Sequence, residues 1–171
     1  MTLERENIPT ELIEAYANGK CGIFVGAGLS MGAGLPDWSG LLESLISKAE
    51  ADHSITSDKA LDCRRLAEDP NKFLMLAQEM KEVLGVEFKT VIENVFGNPA
   101  IKPTVAHEIL ISLTKNRFII TTNYDMLIEQ AFATHGYFRQ GYKYYEAHAL
   151  QRDLYKRSFF LLKAHRAILW N

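Results

Sequence analysis

Three short apolar runs, each followed by polar or glycine-rich residues, organise the hydrophobic pattern of the chain. The runs cover 21–25, 118–121 and 158–162. Continuous apolar runs of this length are typical of strands that are buried in a parallel sheet. Helical spacing of apolar residues fills most of the sequence between the runs. The pattern therefore predicts an α/β fold with a Rossmann-like, doubly wound parallel sheet.

The segments between the runs predict helices with recognisable ends. Asp37 and Asp125 can cap two of them, and Asn18-Gly19 can end the first. The predicted helices cover 11–17, a segment after Asp37, 58–68, 71–84, 87–96, 104–114 and a segment from Asp125 to about 133. The stretch at about 52–103 is longer than one crossover helix, so we expect a helical insertion there. The phenylalanines, Met75, Met80 and the leucines at helical spacing are predicted core residues.

Composition narrows the class of protein without identifying it. The chain has 171 residues, 47% of them hydrophobic and 23% charged, which predicts one folded domain over 1–171. A net charge of -2 gives no reason to expect binding to nucleic acid or to a membrane surface. Cys21 and Cys63 have neither zinc-site spacing nor the number that a disulfide framework needs. The charged N-terminus and the lack of a long apolar run predict a cytoplasmic protein.

A group of tyrosines, Tyr142, Tyr144 and Tyr145, lies near basic residues including Lys143 and Arg152. Aromatic and basic side chains together can bind single-stranded nucleic acid. A face that is solvated or covered by a partner is the favoured interpretation.

Polar clusters follow all three predicted strands, at 26–38, 121–125 and 163–165. Ligands of open α/β sheets bind beyond the carboxyl ends of the strands, where these clusters would lie. The first cluster holds four glycines within nine residues, Gly26 to Gly34. Backbone N–H groups of such a loop can hold a diphosphate, which favours a dinucleotide ligand.

Three known glycine-loop motifs fit the first cluster only in part. The dehydrogenase fingerprint GxGxxG starts at Gly26 and Gly28 but has Met31 at its third position, and the loop lacks the lysine of a P-loop. Residues 28–32 also match GxSxG, the nucleophile elbow, and Ser30, Asp125 and His165 occur in hydrolase order. An elbow turns directly into a helix, whereas this loop continues to 37, so a serine hydrolase is the alternative interpretation.

The three clusters together resemble the sirtuin family. Gly26–Ser30 with Gly34–Trp38 is similar to the family's first motif, a glycine-alanine-glycine turn followed by a Gly-Ile-Pro-Asp-aromatic segment. Thr121–Asp125 resembles the second motif in the form typical of bacterial sirtuin-like proteins. Lys163–His165 lies where the family has a lysine-x-histidine-glycine strand end. The resemblance extends over essentially the whole chain.

The resemblance implies cleavage of NAD between nicotinamide and ribose, with NAD as substrate. The sequence itself identifies no metal site. It implies that Ala27, Gly28 and Ser30 contact the diphosphate and that Asp37 and Trp38 shape the nicotinamide side. Asn123 and Asp125 would hold the ribose and nicotinamide, Asn123 would position water, and His165 would be the general base. The remaining motif residues expected at the NAD site are Gly26, Pro36 and Thr122.

The C-terminal residues depart from the family pattern. Arg166 stands where the family has glycine, and 166–171 can be written with codons whose shifted frame gives glycine-aspartate-isoleucine. We therefore expect an incomplete domain with a frameshifted tail and reduced activity. Bacterial relatives of this type often are NAD hydrolases of antiphage defence, with fused domains or oligomers. NAD-dependent deacylation, for which the zinc-module cysteines are not found, and a non-catalytic nucleotide-binding or interaction module stay as alternatives.

Overall fold

The computed structural model describes residues 8–113, 118–136, 159–164, the backbone of 141–143, and residues 151 and 155. Within these residues the fold is α/β. The helices are α1 (Thr10–Ala17), α2 (Gly28–Met31), α3 (Trp38–Ala51), α4 (Ser57–Leu66), α5 (Phe73–Leu84), α6 (Val86–Phe96), α7 (Val105–Ser112) and α8 (Leu127–Thr134). The strands are β1 (Ile23–Val25), β2 (Phe118–Thr121), β3 (Gly141–Lys143) and β4 (Phe160–Lys163). A 3-10 turn, Pro70–Lys72, precedes α5.

The chain divides into two compact units. Unit 1 comprises Met1–Gly26, Pro103–Asn123 and Leu127–Asn171, and unit 2 comprises Ala27–Lys102 and Tyr124–Met126. Unit 1 contains all four strands, and unit 2 contains the glycine loop together with α2 to α6. Nearly all of the predicted insertion at 52–103 therefore belongs to the same unit as the glycine loop.

Unit 1 is built on a parallel sheet with the strand order β1-β2-β4-β3. Ile119 of β2 pairs in register with Ile23 of β1 and with Leu161 of β4. Ile119 and Leu161 are almost fully buried, as continuous apolar strands of a parallel sheet require. The helices α7 and α8 supply further buried side chains, among them Leu110 and Ile128.

Unit 2 has a helical core. The side chains at its centre come from α3 and α5 and are completely buried: Leu42, Leu45, Ile46, Leu76 and Met80. Asp37 begins α3 by accepting a hydrogen bond from the Gly40 N–H at 2.9 Å. Gly85, at φ +53°, separates α5 from α6 in the left-handed conformation that favours glycine.

Several sequence predictions need correction. Residues 28–31 form the short helix α2 within the predicted loop, because the glycines there do not adopt positive φ. The strand β3 was not predicted, since Gly141–Lys143 has no apolar run. Phe24 and Met75 are 70% and 48% exposed rather than in the core. Phe24 lies on β1 at the edge of the described sheet, and Met75 lies on α5 beside the buried row that includes Leu76 and Met80.

The tyrosine-rich segment is described only in part, since Tyr144, Tyr145 and Arg152 lie outside the described residues.

The longest helix in the described ranges is α3, with 14 residues. None of the helices in these ranges combines the length and the apolar character that crossing a membrane requires.

Candidate functional site

The glycine loop of unit 2 runs from Ala27 through α2 to the start of α3. Ala27 precedes α2, and its carbonyl oxygen accepts the Ser30 N–H at 2.9 Å. The Ser30 carbonyl oxygen in turn accepts N–H groups from Ala33 and Leu35, at 3.0 and 3.4 Å. The loop is therefore folded around Ser30, and the Ser30 residue is only 3% exposed.

Ser30 is joined to the second motif by a buried hydrogen bond. The Ser30 Oγ donates to Asp125 Oδ2 at 2.7 Å, across 95 positions of sequence. Asp125, like Ser30, is 3% exposed, and 124–126 belong to unit 2 with the glycine loop. A short bond to a buried carboxylate is among the stronger hydrogen bonds of a protein. It links one residue of the first predicted motif to one residue of the second, and both residues belong to unit 2.

Gly34 in the loop and Gly40 in the first turn of α3 are required by the backbone or by packing. Gly34 has φ +88°, a conformation that side-chain-bearing residues rarely adopt. A Cβ at Gly40 would lie 2.8 Å from the Pro36 Cβ, so glycine at 40 lets Pro36 pack against the first turn of α3. Asp37 is exposed, and Trp38 and Pro36 are half-buried.

Gly26 and Gly28 have neither requirement. Neither adopts positive φ, and an added Cβ at either position would meet no atom within 4 Å in the described part of the chain. Both residues are exposed. A Cβ at either position would instead occupy the space in front of the loop backbone, where a ligand could approach closely.

The strand ends of unit 1 carry the remaining motif residues. The Thr122 N–H donates to the Val25 carbonyl at 3.2 Å, and the Ala164 N–H donates to the Thr121 carbonyl at 2.8 Å. Thr121 is fully buried and its Oγ1 accepts the Asn123 N–H at 3.0 Å. Asn123 is 5% exposed, so the sheet positions its backbone and buries its side chain. Thr122 is exposed.

An ion pair fixes the end of β4. Lys163 Nζ lies 3.0 Å from Glu129 Oε1 of α8, and both side chains are largely buried, at 13% and 26% exposure. The pair connects the third predicted motif to the helix that follows the second motif. His165, the predicted general base, lies outside the described residues, and so does Arg166.

The prediction that the loop does not turn directly into a helix is wrong, because α2 begins at Gly28, three residues after β1 ends. The surroundings of Ser30 nevertheless differ from those of a nucleophile elbow. An elbow presents its serine at a strained, exposed strand-to-helix turn. Ser30 lies in α2 without positive φ, is buried, and donates its hydroxyl proton to Asp125. This hydroxyl is committed to a carboxylate rather than exposed for attack on a substrate.

The sequence did not indicate the aromatic neighbours of the motifs. The Trp38 ring stacks on Phe73 with centroids 6.3 Å apart, and the Tyr124 ring packs on Phe96 at 5.4 Å. Burial raises the pKa of the Tyr124 phenol above its ordinary value. Phe73 and Phe96 were predicted only as core residues, and no local signal pairs them with the motifs.

Cys21 and Cys63 are not joined to each other by a disulfide. Burial raises the pKa of the Cys63 thiol, which makes it a poor metal ligand and nucleophile. The described residues contain no cluster of three or more histidine, cysteine or acidic side chains that could hold a metal ion.

No model of a protein family matches the sequence, and no curated protein is similar to it at a significant level.

Proposed function

We propose that this chain is the NAD-binding part of a Rossmann-like, sirtuin-like domain that hydrolyses NAD. The reaction breaks the bond between the nicotinamide nitrogen and the ribose C1′, and water supplies the oxygen of the new bond at that carbon. The products are nicotinamide and ADP-ribose. A role in antiphage defence, exerted through an oligomer or a partner domain, is the biological setting that the resemblance implies.

The hydrogen bond between Ser30 and Asp125 carries this proposal. Two motifs that resemble consecutive elements of one NAD site are joined by a bond of 2.7 Å between buried side chains. If either motif resembled the family only by chance, there would be no reason to expect a hydrogen bond between Ser30 and Asp125. The bond also supports a shared role of the two segments in binding one ligand.

The two glycines without a structural requirement support a ligand at the loop. Gly28 begins α2, and its N–H is among the helix-end donors without an intrahelical acceptor. Close approach of an anionic diphosphate to such backbone groups needs a residue without Cβ. Ala27, Gly28 and Ser30 are the residues that we assign to this part of NAD, with Gly26 at the strand end.

The parallel sheet of unit 1 supports a Rossmann-like interpretation. Adjacent strands β1, β2 and β4 are followed by Gly26, by Thr122-Asn123 and by Ala164, respectively. In open α/β sheets, ligand-binding crevices lie outside such carboxyl ends. We assign Asn123 and Asp125 to the ribose and nicotinamide, and Asp37, Trp38 and Pro36 to the nicotinamide side.

Chemically, cleavage of this bond develops positive charge on the ribose, which needs a shaped site, a positioned water and nearby negative charge. The Asp125 carboxylate supplies the charge in this proposal, and Asn123 orients the water. His165 accepts the proton from water, since imidazole titrates near neutrality. Nicotinamide is a good leaving group once the developing charge is stabilised.

The test compares Asn123→Ala with Asn94→Ala in the purified chain, with nicotinamide release followed over time. Asn94 is an exposed residue of α6 and provides a matched control. We expect release by the wild type and by Asn94→Ala and a loss of at least about a hundredfold in Asn123→Ala. Labelling of Ser30 by a fluorophosphonate, without nicotinamide release, would favour the serine hydrolase instead.

A further inference from the structure

Two ring contacts in unit 2 connect the motif residues to the predicted helical insertion. Trp38 follows Asp37 and stacks on Phe73, the first residue of α5, with an interplanar angle of 23°. Tyr124 precedes Asp125 and packs on Phe96, the last residue of α6, at 32°. Each contact therefore joins a helix end of the insertion to the direct neighbour of a motif carboxylate.

The contact between Tyr124 and Phe96 bears directly on the Asp125 carboxylate. The Tyr124 ring packs on Phe96, and a packed ring has fewer rotamers open to it than a free one, which restricts the backbone that carries it. Asp125 is the next residue, and its Oδ2 accepts the Ser30 hydroxyl at 2.7 Å. Movement of Tyr124 would therefore move the acceptor away from Ser30.

The end of α6 is fixed by local geometry. The Gly97 N–H donates to the Glu93 carbonyl at 2.8 Å, and a Cβ at Gly97 would lie 2.5 Å from that oxygen. Glycine at 97 therefore lets the chain close over the last turn of α6. Phe88 and Ile92, both nearly fully buried, anchor the same helix in the core of unit 2. Phe96 therefore lies at the end of a helix that is anchored in the core of unit 2.

We propose that Phe96 is a positioning residue of the NAD site: its ring holds Tyr124, and through the Tyr124-Asp125 peptide it keeps the Asp125 carboxylate in the orientation that Ser30 binds. The predicted insertion then forms a supporting wall of the site. This inference deepens the proposed function and rests on it for the identity of the ligand. The packing role itself is independent of NAD.

The first test compares Phe96→Leu with Phe88→Leu and Phe96→Tyr in nicotinamide release. Phe88→Leu is the control, because it makes the same substitution in the buried face of the same helix. Among the described ring contacts, none joins Phe88 to a motif residue. Loss of one aromatic pair changes an equilibrium constant by about two- to tenfold, here the constant between the held and the released orientation of Tyr124. We expect Phe96→Leu to lower kcat by that factor with KM changed less than about twofold, and Phe96→Tyr, which keeps a ring, to retain kcat.

Equal reductions of kcat in Phe96→Leu and Phe88→Leu would overturn the proposal, because they would indicate a general structural effect. So would a wild-type kcat in Phe96→Leu.

The second test needs no NAD. Ser30→Ala is combined with Phe96→Leu and, separately, with Phe88→Leu, and the unfolding equilibrium constants are measured in urea. We expect the Ser30 and Phe96 substitutions to be non-additive by about threefold or more, and the Ser30 and Phe88 substitutions to be additive. Additivity in both pairs would overturn the positioning role. Absence of NAD turnover in the wild type would contradict the proposed function, while the coupling would still decide the role of Phe96.

Discussion

At the residue scale, the glycines in the loop after β1 differ in whether the fold itself requires them. Gly34 is needed by the backbone, because its φ is +88°. Gly28 has ordinary helical geometry and open space around its Cα. Sequence alone cannot separate the two cases, since both residues look like parts of one glycine-rich turn. Substitution by alanine separates them.

Gly28→Ala should leave the free energy of unfolding unchanged or raise it by up to about 1 kcal/mol, because alanine is the better helix former. The same substitution should weaken NAD binding at least about tenfold, since the new Cβ occupies the approach to the loop. Gly34→Ala should destabilise the chain by about 1–2 kcal/mol. Urea unfolding and calorimetric NAD titration measure both effects. Wild-type NAD affinity in Gly28→Ala would refute the assignment of the loop.

Ser30→Ala removes the hydroxyl donor from the buried Asp125 carboxylate. We expect a loss of about 1–3 kcal/mol in the free energy of unfolding, the usual cost when a buried acceptor loses a hydrogen-bond donor. Ser47→Ala is the matched control, because Ser47 donates to the Glu43 carboxylate at 2.8 Å on the exposed surface. Ser47→Ala should change the free energy of unfolding by no more than about 0.5 kcal/mol. Equal costs for the two substitutions would show that burial of the Ser30 pair adds nothing.

At the scale of elements, apolar runs and caps predicted most of the described structure. The run at 118–121 coincides with β2, and the bounds predicted for the helices at 71–84 and 87–96 lie within two residues of α5 and α6. Prediction failed where the local signal was weak or misleading. Gly141–Lys143 becomes β3 only because it pairs with β4, and the glycines at 28 and 32 concealed α2.

A partly exposed cluster of ion pairs joins α3 to α4 and should respond to acid; we call it the ionic clip, and it consists of Arg64, Glu43 and Glu50. Arg64 of α4 lies 3.0 Å from Glu43 and 2.9 Å from Glu50 of α3. Hydrogen bonding to Arg64 lowers the pKa of Glu50 below its ordinary 4.5, with a further contribution from Ser57. A carboxylate whose pKa is lowered by folding stabilises the native state above its unfolded pKa, and this contribution is lost as the pH falls through the folded pKa.

Glu50→Gln should therefore reduce the loss of stability that the wild type shows as the pH falls below 4.5. The urea midpoint at a series of pH values between neutrality and about pH 3 measures this effect. Glu68→Gln provides a control, because Glu68 is an exposed residue outside the clip. If the urea midpoint of Glu50→Gln falls with pH as steeply as that of the wild type, the clip contributes nothing to the pH dependence.

At the scale of the whole molecule, the sequence predicted the α/β class, whereas the assignment of the motif residues to an NAD site stays a prediction. Short apolar runs indicate the parallel strands, and the polar clusters that follow these strands are visible in the local sequence. The bond between Ser30 and Asp125 and the ring contacts of Trp38 and Tyr124 depend on tertiary packing over long sequence separations. A single sequence carries no periodicity that specifies which distant aromatic residues will meet.

The most direct test of the proposed NAD hydrolysis is the identity of the products that the purified chain forms from NAD. Chromatography of the reaction should show nicotinamide and ADP-ribose accumulating in equal amounts without any acylated lysine substrate, and Asn123→Ala should stop both. NAD that stays intact in the presence of the folded wild-type chain, or nicotinamide release that requires an acyl-lysine peptide, would contradict the proposal.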